Sequence, residues 1–326
     1  MAQKSDHIVD AVITWVNGND PSHKAKIQHY LKDKSSLSSK ALNMRFNQIN
    51  EIEFTVKSIL KYAKFVRNIF IVTDNQIPDF LKNKNDPTLK YQNVHVVDHK
   101  VIFKEFTNYL PTFNSLAIET MLHKIPNLAE QFIYFNDDFI LANETTLEDF
   151  FINKTPVLRG SWRMFYDNIW HKKIKNFYNQ YFKKQINSEY KHNKGLQKPA
   201  ELLNFKTYFF SPHVPSPQLK LDLKLFFEMN TDLLVTNIKF KFRYAGQFVT
   251  SSLSNHLQIK KENYIHQKNE QLIYFQNYNK PLWWLMYKFN KIEKNKNIKF
   301  LCLQSLDQCP NHKLEVVKKW LHNRYN

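Results

Sequence analysis

The sequence predicts an α/β protein with a mostly parallel, Rossmann-like (GT-A-like) sheet flanked by helices and a largely helical, basic second half. Short apolar segments typical of buried strands alternate with segments whose apolar residues recur every three to four positions, as on one face of a helix. Such alternation favours parallel strands joined by right-handed crossovers. Several predicted strands end in acidic side chains, at the sheet edge where ligands bind in this class.

The first elements follow in order along the chain. Residues 8–16 are rich in β-branched side chains, which favour a strand, and a dense turn signal comes next. Apolar positions at helical spacing predict helices over about 47–64 and 115–124. Apolar runs that end in an acid predict two more strands, over 66–74 and 94–98.

The central strand is the stretch around which the chain is organised. The apolar run Gln131–Phe135 reads as a strand buried on both faces, and Asn136, Asp137 and Asp138 follow at its carboxyl end. Adjacent carboxylates repel each other unless a cation lies between them. Oxygen ligands of this kind suit Mg²⁺ (or Mn²⁺) bridging to a substrate phosphate. The structural alternative is a turn in which the same residues act only as caps.

The later part of the chain is predicted to contain more helix. Thr145 and Glu148 have the spacing of a capping box that opens a short helix. Three prolines within residues 209–217 exclude a helix there and predict a rigid, extended loop that carries His213. Strands are expected over 157–162 and 299–303, and helices over 171–190, 219–229, 247–258 and 312–323.

Glycine and cysteine usage excludes several kinds of site. The four glycines lie too far apart for a Rossmann fingerprint or a P-loop, so a phosphate ligand requires side chains and metal. The two cysteines form neither a disulfide framework nor a zinc spacing. No segment has the roughly 18 uninterrupted apolar residues of a spanning helix, and the amino terminus lacks the apolar core of a signal peptide. We therefore expect a cytoplasmic protein.

The positive charge is unevenly distributed. The net charge is +18, yet residues 1–150 contain 17 basic and 18 acidic side chains, whereas residues 151–326 contain 30 and 11. A basic surface of this size attracts polyanions, although a compositional preference for lysine and asparagine is the plain alternative. Trp283, Trp284 and Tyr287 are flanked by lysines, which is compatible with peripheral contact with an anionic inner membrane. We rank binding of an anionic polymer ahead of that contact, and expect no nucleic-acid partner because no such motif is present.

Four blocks of the chain resemble the conserved regions of the Stealth family. The first two are long and specific, and the last two are short. The matches lie, in order, at residues 10–21, at residues 45–78 and 113–138, at residues 211–215 with Phe242 and Arg243, and at residues 299–304. The chain departs from the family pattern at Asn17, where Asp is common, and at Gln304 and Ser305, where many members have Asn-Asp.

The Stealth family includes bacterial capsule polymerases and the animal GlcNAc-1-phosphotransferase that tags lysosomal enzymes. The resemblance implies transfer of a hexose-1-phosphate from a UDP-sugar to a hydroxyl of an oligosaccharide or polysaccharide acceptor. UMP leaves and a phosphodiester forms, and a peripheral contact with the anionic inner membrane or with the capsule export machinery is expected. One rival function is a GT-A-type glycosyltransferase that releases UDP, and another is a polyanion- or nucleic-acid-binding protein.

The resemblance also implies roles for particular residues. Asp137 and Asp138 would hold the divalent cation on the diphosphate. Arg45 and Arg243 would bind phosphate oxygens, and His213 would act as general base on the acceptor hydroxyl. The matched blocks add Glu51 and Asp74 as catalytic candidates. For substrate binding they imply Trp15, Asn17, Gly18, Asp20, Arg45, Asn50, Gln76, Asn114, Ser115, Glu119 and Asn136.

These assignments divide the chain into two cooperating parts. Residues 1–163 are expected to form the α/β part that binds nucleotide-sugar and metal. Residues 164–326 are expected to complete the site with His213 and Arg243 and to bind the acceptor, so that both parts act as one catalytic unit.

Overall fold

The strands of the protein were located in a computed structural model that describes residues 7–31, 50–82, 90–170 and 190–326. They are β1 (Val9–Thr14), β2 (Val66–Thr73), β3 (Val94–Asp98), β4 (Gln131–Asn136), β5 (Phe139–Leu141), β6 (Phe151–Ile152), β7 (Thr155–Arg159), β8 (Ser161–Met164), β9 (Thr207–Phe210), β10 (Ser216–Leu219), β11 (Ile265–Gln267), β12 (Leu272–Phe275) and β13 (Phe300–Leu303).

The helices of the described ranges surround these strands. They are α1 (Pro21–Leu31), α2 (Glu51–Tyr62), α3 (Asp79–Lys82), α4 (His99–Ile102), α5 (Ser115–Met121), α6 (His192–Leu202), α7 (Lys220–Met229), α8 (Thr231–Ile238), α9 (Thr250–Lys260), α10 (Leu282–Lys294) and α11 (Asn311–Tyr325). None of them has the length and apolar composition needed to cross a lipid bilayer.

The central sheet has the order β10-β4-β1-β2-β3. β1 is parallel to both β2 and β4, β2 is parallel to β3, and only β10 runs antiparallel, at one edge. The order 3-2-1-4 is that of the Rossmann fold, in which the chain reverses its direction of winding between β1 and β4. The predicted α/β class with a mostly parallel sheet is confirmed.

Both faces of β1, β4 and most of β2 are buried, which explains why these strands are largely apolar runs, whereas the edge strand β3 is partly exposed. On one face Ala11, Ile13 and Ile133 pack with the inward face of α2. On the other face Val12 and Phe132 pack with α5, α7, α8 and α9. A strand covered on both sides reads as a continuous apolar run.

Asp10 interrupts the apolar run of β1 for a structural reason. Its carboxylate is fully buried and accepts hydrogen bonds from Arg67 Nε (2.9 Å) and Nη2 (2.6 Å), Asn68 N (3.1 Å) and Ala129 N (2.7 Å). It therefore joins β1 to β2 and to the turn before β4 and lies away from the sheet edge that carries the other acids.

Three details differ from the sequence predictions. The capping box is formed by Thr146 and Asp149, one residue after the predicted pair, and opens only a 3₁₀ turn. The proline-rich segment is not loop throughout, because β10 includes Pro217. Proline is tolerated there because an edge strand does not need every N–H for pairing. The helix expected at 171–190 lies outside the described residues, apart from its last position.

The second half contributes strands as well as helices. β12, β13 and β5 form a second sheet in which β13 pairs antiparallel with β5, and β10 from the second half completes the central sheet. Chain segments from both halves therefore meet around the turn that links β4 to β5.

Candidate active site

A cavity of about 410 Å³ lies at the carboxyl end of β1 and β4, the switch point of the central sheet. Trp15, directly after β1, and Asn136, Asp137 and Asp138, at the end of β4, line it. This is the position at which open α/β sheets bind their ligands, because the crossovers leave a crevice there.

Strand direction brings the proline-rich loop to the same cavity. β10 runs antiparallel to β4, with Ser216 opposite Tyr134, so the residues just before β10 lie beside the end of β4. His213 and Pro215 of this loop line the cavity. Three prolines fix the backbone φ angles of the segment and limit the motion of the histidine.

The two aspartates form a buried acidic turn. Thr55 Oγ1 on α2 donates to the backbone oxygen of Asp137 (2.6 Å), and the N–H of Leu303 donates to that of Asp138 (3.2 Å). Burial, then the neighbouring carboxylates of Asp138 and Glu51, raises the pKa of Asp137 well above its usual range. Burial raises the pKa of Asp138 to about 6, although a hydrogen bond from Cys302 Sγ (3.6 Å) opposes the shift.

The turn has a free acceptor and a limited ligand set. Asp138 Oδ1 is buried and has no hydrogen-bond partner among the described residues. Within the same ranges, no group of three or more histidine, cysteine, aspartate or glutamate side chains is arranged to hold a metal. The protein therefore offers a cation two adjacent carboxylates, and the remaining oxygens would come from water and substrate, as is common for Mg²⁺.

Basic groups line the cavity together with this acidic turn. Arg243 Nη2 donates to Ser115 Oγ (2.7 Å), which fixes the guanidinium at the amino end of α5. Burial raises the pKa of Glu119 to about 7, and the charge of Arg243 opposes that shift. Burial, with the charges of Arg243 and His213, lowers the pKa of His192 to about 4. The cavity thus combines carboxylates with groups that can bind an anion.

The imidazole of His213 is held between aromatic rings. It stacks on Tyr274 with ring centroids 4.8 Å apart and meets the edge of Phe139 at 6.4 Å. The hydroxyl of Tyr274 donates to the side-chain oxygen of Gln304, which also lines the cavity. Burial lowers the pKa of His213, which favours the neutral ring, whose lone pair can accept a proton.

The structure gathers many of the predicted site residues at the cavity. Those that line it are Trp15, Glu51, Ser115, Glu119, Asn136, Asp137, Asp138, His213 and Arg243. Those outside its lining are Asn17, Gly18, Asp20, Asn50, Asp74, Gln76 and Asn114. Arg45 lies outside the described residues.

Several residues outside the lining have local structural partners. Asp20 Oδ1 accepts from the N–H of His23 (2.8 Å) and caps α1. Asp74 Oδ2 accepts from Lys26 Nζ (2.9 Å) and lies 3.3 Å from Nδ1 of His23, a residue that does line the cavity. Burial alone would raise the pKa of Asp74, but these hydrogen bonds outweigh it and the pKa is lowered. Asn114 caps α5 by accepting from Leu116 N (3.2 Å).

Asn17 is one of the positions at which the sequence departs from the family pattern. Its Oδ1 accepts from the backbone N–H of Asn19 (2.9 Å). The side-chain amide of Gln76 accepts from the backbone N–H of Asn17 and donates to its backbone oxygen. Asn17 and Asn50 line a separate, much smaller cavity of about 10 Å³. The side-chain oxygen of Asn17 is thus engaged in its own turn.

Several cavity residues were not identified from the sequence, among them Tyr134, Arg159 and His192. Tyr134 carries a detectable signal, because it precedes Asn136 by two positions in a strand and so shares its face. Its hydroxyl donates to Asn136 Oδ1 (2.7 Å) and lies 3.0 Å from Thr14 Oγ1. Arg159 and His192 carry no local pattern that separates them from other basic residues of the second half.

Fold and site together define an α/β protein of Rossmann-like topology with a combined acidic and basic ligand site at the switch point. Residues 9–35 match the region described as Stealth protein CR1, conserved region 1, and residues 45–157 match Stealth protein CR2, conserved region 2. The chain thus contains two conserved regions of the Stealth family.

Curated relatives agree with this assignment. The chain is 46% identical over 144 residues to a capsular polysaccharide phosphotransferase of Haemophilus influenzae, covering 44% of this chain and 37% of that protein. It is 48% identical over 147 residues to one from Actinobacillus pleuropneumoniae, covering 44% and 38%. An exopolysaccharide phosphotransferase of Streptomyces coelicolor is 43% identical over 144 residues, covering 44% and 23%. The match thus spans less than two fifths of the length of each.

Solved structures are more distant. The WbbM bifunctional glycosyltransferase gives a TM-score of 0.45 at 12% identity, covering 98% of this chain and 53% of that one. Mouse xyloside xylosyltransferase 1 gives 0.40 at 11% identity, covering 90% and 97%. Likenesses of this size identify no function.

Proposed function

We propose that the chain is a capsule-polymerase-type phosphotransferase, which moves hexose-1-phosphate from a UDP-sugar to a sugar hydroxyl and releases UMP. The observation that carries the proposal is the cavity at the switch point. It brings the acidic turn of Asp137 and Asp138 together with Arg243 and His213. The names of the relatives, capsular and exopolysaccharide phosphotransferases, support the same chemistry.

The reaction requires one bond to form and one to break. The acceptor oxygen bonds to the phosphorus that carries the sugar, and the bond from that phosphorus to the bridging oxygen of the diphosphate breaks. The bridging oxygen leaves with UMP, and the proton of the acceptor hydroxyl passes to the imidazole of His213. Burial favours the neutral form of that ring, which is the form that accepts a proton.

The remaining groups of the cavity position charge. Arg243, fixed by its bond to Ser115, is suited to bind a non-bridging phosphate oxygen with its guanidinium. The buried, unpartnered Oδ1 of Asp138 beside the carboxylate of Asp137 fits a divalent cation such as Mg²⁺. When bound, such an ion would neutralise charge on the diphosphate. Phosphoryl transfer depends mainly on such positioning and charge neutralisation.

The product nucleotide distinguishes the proposal from its main rival. The protein is incubated with a panel of UDP-sugars, an oligosaccharide primer and Mg²⁺, and UMP and UDP are separated by chromatography. We expect UMP, together with an acid-labile glycosyl phosphodiester on the primer. UDP as the nucleotide product would instead identify a glycosyltransferase.

Two variants test the assigned residues in the same assay. His213→Ala should reduce kcat by about 10²–10⁴-fold with little effect on the donor KM, as expected for a proton-transfer group. Asp138→Asn should abolish most turnover, and EDTA should do the same to the parent protein. His312→Ala, at an exposed position on α11, is the matched control and should retain parental rates. If His213→Ala keeps the kcat of the parent protein, His213 is not the general base.

A further inference from the structure

Helix α10 has two different faces. Its inner face, formed by Leu285, Phe289 and Ile292, is buried in the apolar cluster around β12, β13 and β5. Its outer face carries Trp283 and Tyr287, which are 69% and 61% exposed, together with the exposed Leu282 and Met286. Positions 283, 286 and 287 are three and four residues apart, so their side chains form one continuous apolar patch. We refer to Leu282, Trp283, Met286 and Tyr287 as the aromatic patch.

Trp284, the neighbouring tryptophan, does not belong to this patch. Its ring meets the edge of Phe275 at 5.7 Å, and Lys288 Nζ lies 4.0 Å from its centroid. Lys288 in turn donates to the backbone oxygen of Tyr274 (2.8 Å). Trp284 and Lys288 therefore hold the helix on the protein, whereas no side-chain hydrogen bond or ring contact involves the aromatic patch within the part of the chain that the structure describes.

Lysines flank the aromatic patch without acidic partners. Lys280 precedes it, and Lys291 and Lys294 extend the exposed side of α10 beyond it. No ion pair involves these three side chains within the described ranges, and the one acid of the helix, Glu293, is bound to Arg324 Nη1 (2.7 Å). The outer face of α10 thus combines exposed aromatic side chains with positive charge that is not neutralised locally.

A second exposed apolar helix provides the comparison. α7 exposes Leu221, Leu225 and Met229, but its charges are balanced. Lys224 lies 3.8 Å from Glu228, and the other acid of the helix, Asp222, is paired at 2.7 Å with Lys261, which directly follows α9. Exposed apolar area alone therefore does not distinguish α10. The distinguishing feature is the combination of tryptophan and tyrosine with unpaired lysines.

We propose that the outer face of α10 binds the surface of an anionic lipid bilayer. Tryptophan and tyrosine favour the level of the headgroups, where an apolar ring and a polar edge are both accommodated. Helices that lie in this interface carry lysines beside the apolar face, which contact anionic headgroups. The charge of this face complements anionic headgroups. The patch is a flat helix face without hydrogen-bonding groups apart from the ring edges, which favours lipid over a protein partner with an acidic groove. The inference is independent of the proposed transfer reaction.

Vesicle flotation tests the proposal with the whole chain. We expect the protein to float with vesicles of equal parts phosphatidylcholine and phosphatidylglycerol, and not with phosphatidylcholine alone. The double variant Trp283→Ser/Tyr287→Ser should reduce binding by about tenfold or more, which corresponds to about 1.4 kcal/mol. Lys291→Glu/Lys294→Glu should also reduce vesicle binding. The electrostatic contribution of these lysines should be weakened by about 0.5 M NaCl, at which exposed charges are largely screened.

The control is Leu225→Ser/Met229→Ser, which removes a similar apolar area from α7 and should leave flotation unchanged. All substitutions are at exposed positions, so thermal unfolding followed by circular dichroism should show that every variant folds. The proposal is overturned if the parent protein does not bind anionic vesicles, or if the α10 and α7 variants lose binding equally. A dimer of the parent protein that dissociates in Trp283→Ser/Tyr287→Ser, without any vesicle binding, would assign the patch to self-association instead.

Discussion

Replacing Asp10 by asparagine should destabilise the fold far more than its position, distant from the cavity, would suggest. The carboxylate has no exposed surface and accepts four hydrogen bonds, two from Arg67 and one each from the N–H groups of Asn68 and Ala129. It ties together β1, β2 and the turn that precedes β4. Both β1 and β4, the strand that follows this turn, carry cavity residues at their carboxyl ends.

The magnitude follows from what asparagine can replace. The single side-chain oxygen of asparagine can accept at most some of the four hydrogen bonds, and its NH₂ group would face N–H donors. An unsatisfied buried N–H such as that of Ala129 costs about 1–3 kcal/mol, and breaking a buried ion pair costs about 3–5 kcal/mol. Because the Arg67 side chain is 40% exposed and can be rehydrated, the lower end applies. We expect a loss of about 3 kcal/mol, more than a hundredfold in the ratio of folded to unfolded protein.

Equilibrium unfolding in urea, followed by tryptophan fluorescence and circular dichroism, measures the loss directly. The matched control is Asp79→Asn, which removes an ion pair with Lys82 (2.6 Å) in which both side chains are mostly exposed. Exposed pairs contribute little, so this variant should unfold near the parental midpoint. An Asp10→Asn variant that loses less than about 1 kcal/mol, or no more than the control, would refute the reasoning.

Three further predictions concern stability and the environment of the proposed base. Burial lowers the pKa of His123 to about 4, so the unfolded chain takes up its proton first as pH falls below about 6.5. The difference in the free energy of unfolding between the parent protein and His123→Gln should therefore shrink by about 2 kcal/mol between pH 7 and pH 5 in urea titrations. A difference that is the same at both pH values would contradict this prediction. Tyr274→Leu, which removes the ring stacked on His213, should lower kcat in the UMP assay. Tyr274→Phe, which loses only the bond to Gln304, should lower it much less, and equal rates would exclude a role for the stack. In Gly160→Ala the new methyl group would overlap a carbonyl oxygen and a phenylalanine ring of the neighbouring strand β9. This overlap should lower the free energy of unfolding by about 1–3 kcal/mol in the same urea titrations. A variant as stable as the parent protein would show that the site relaxes.

Much of the central sheet was predictable because β1, β2 and β4 are largely covered on both faces. β1, β2, β3 and β4 are short apolar runs, and their order along the chain, interrupted by amphipathic helices, indicates parallel pairing. The second sheet was not predictable in the same way. β5 has only three residues, and its partner β13 lies far along the chain, so no local pattern indicates the pairing.

The residues of the candidate site also differ in whether the sequence could predict them. Asp137 and Asp138 were recognisable because acids at the end of a buried strand are costly and stand out from their surroundings. Cys302 was not, although its thiol donates to Asp138 Oδ2, because an apolar strand such as β13 commonly contains a buried cysteine with no role in a site. His192 and Arg159 reach the cavity only through tertiary packing. Their residue types are common in a basic chain segment, so sequence alone could not select them.

Two antiparallel pairings explain how distant segments meet at the acidic turn. β4 runs into the turn and β10 runs away from it, so the loop that begins β10 delivers His213 to the point where β4 ends. β5 leaves the turn and β13 runs towards it, so the residues that follow β13 deliver Gln304 to the other side. The N–H of Leu303 then donates to the backbone oxygen of Asp138. The histidine and its supporting side chain are therefore fixed by strand register relative to Asp137 and Asp138. Since a slip of one residue reverses the direction of every side chain in a strand, the register of these two short edge pairings determines the site as much as the identity of its residues.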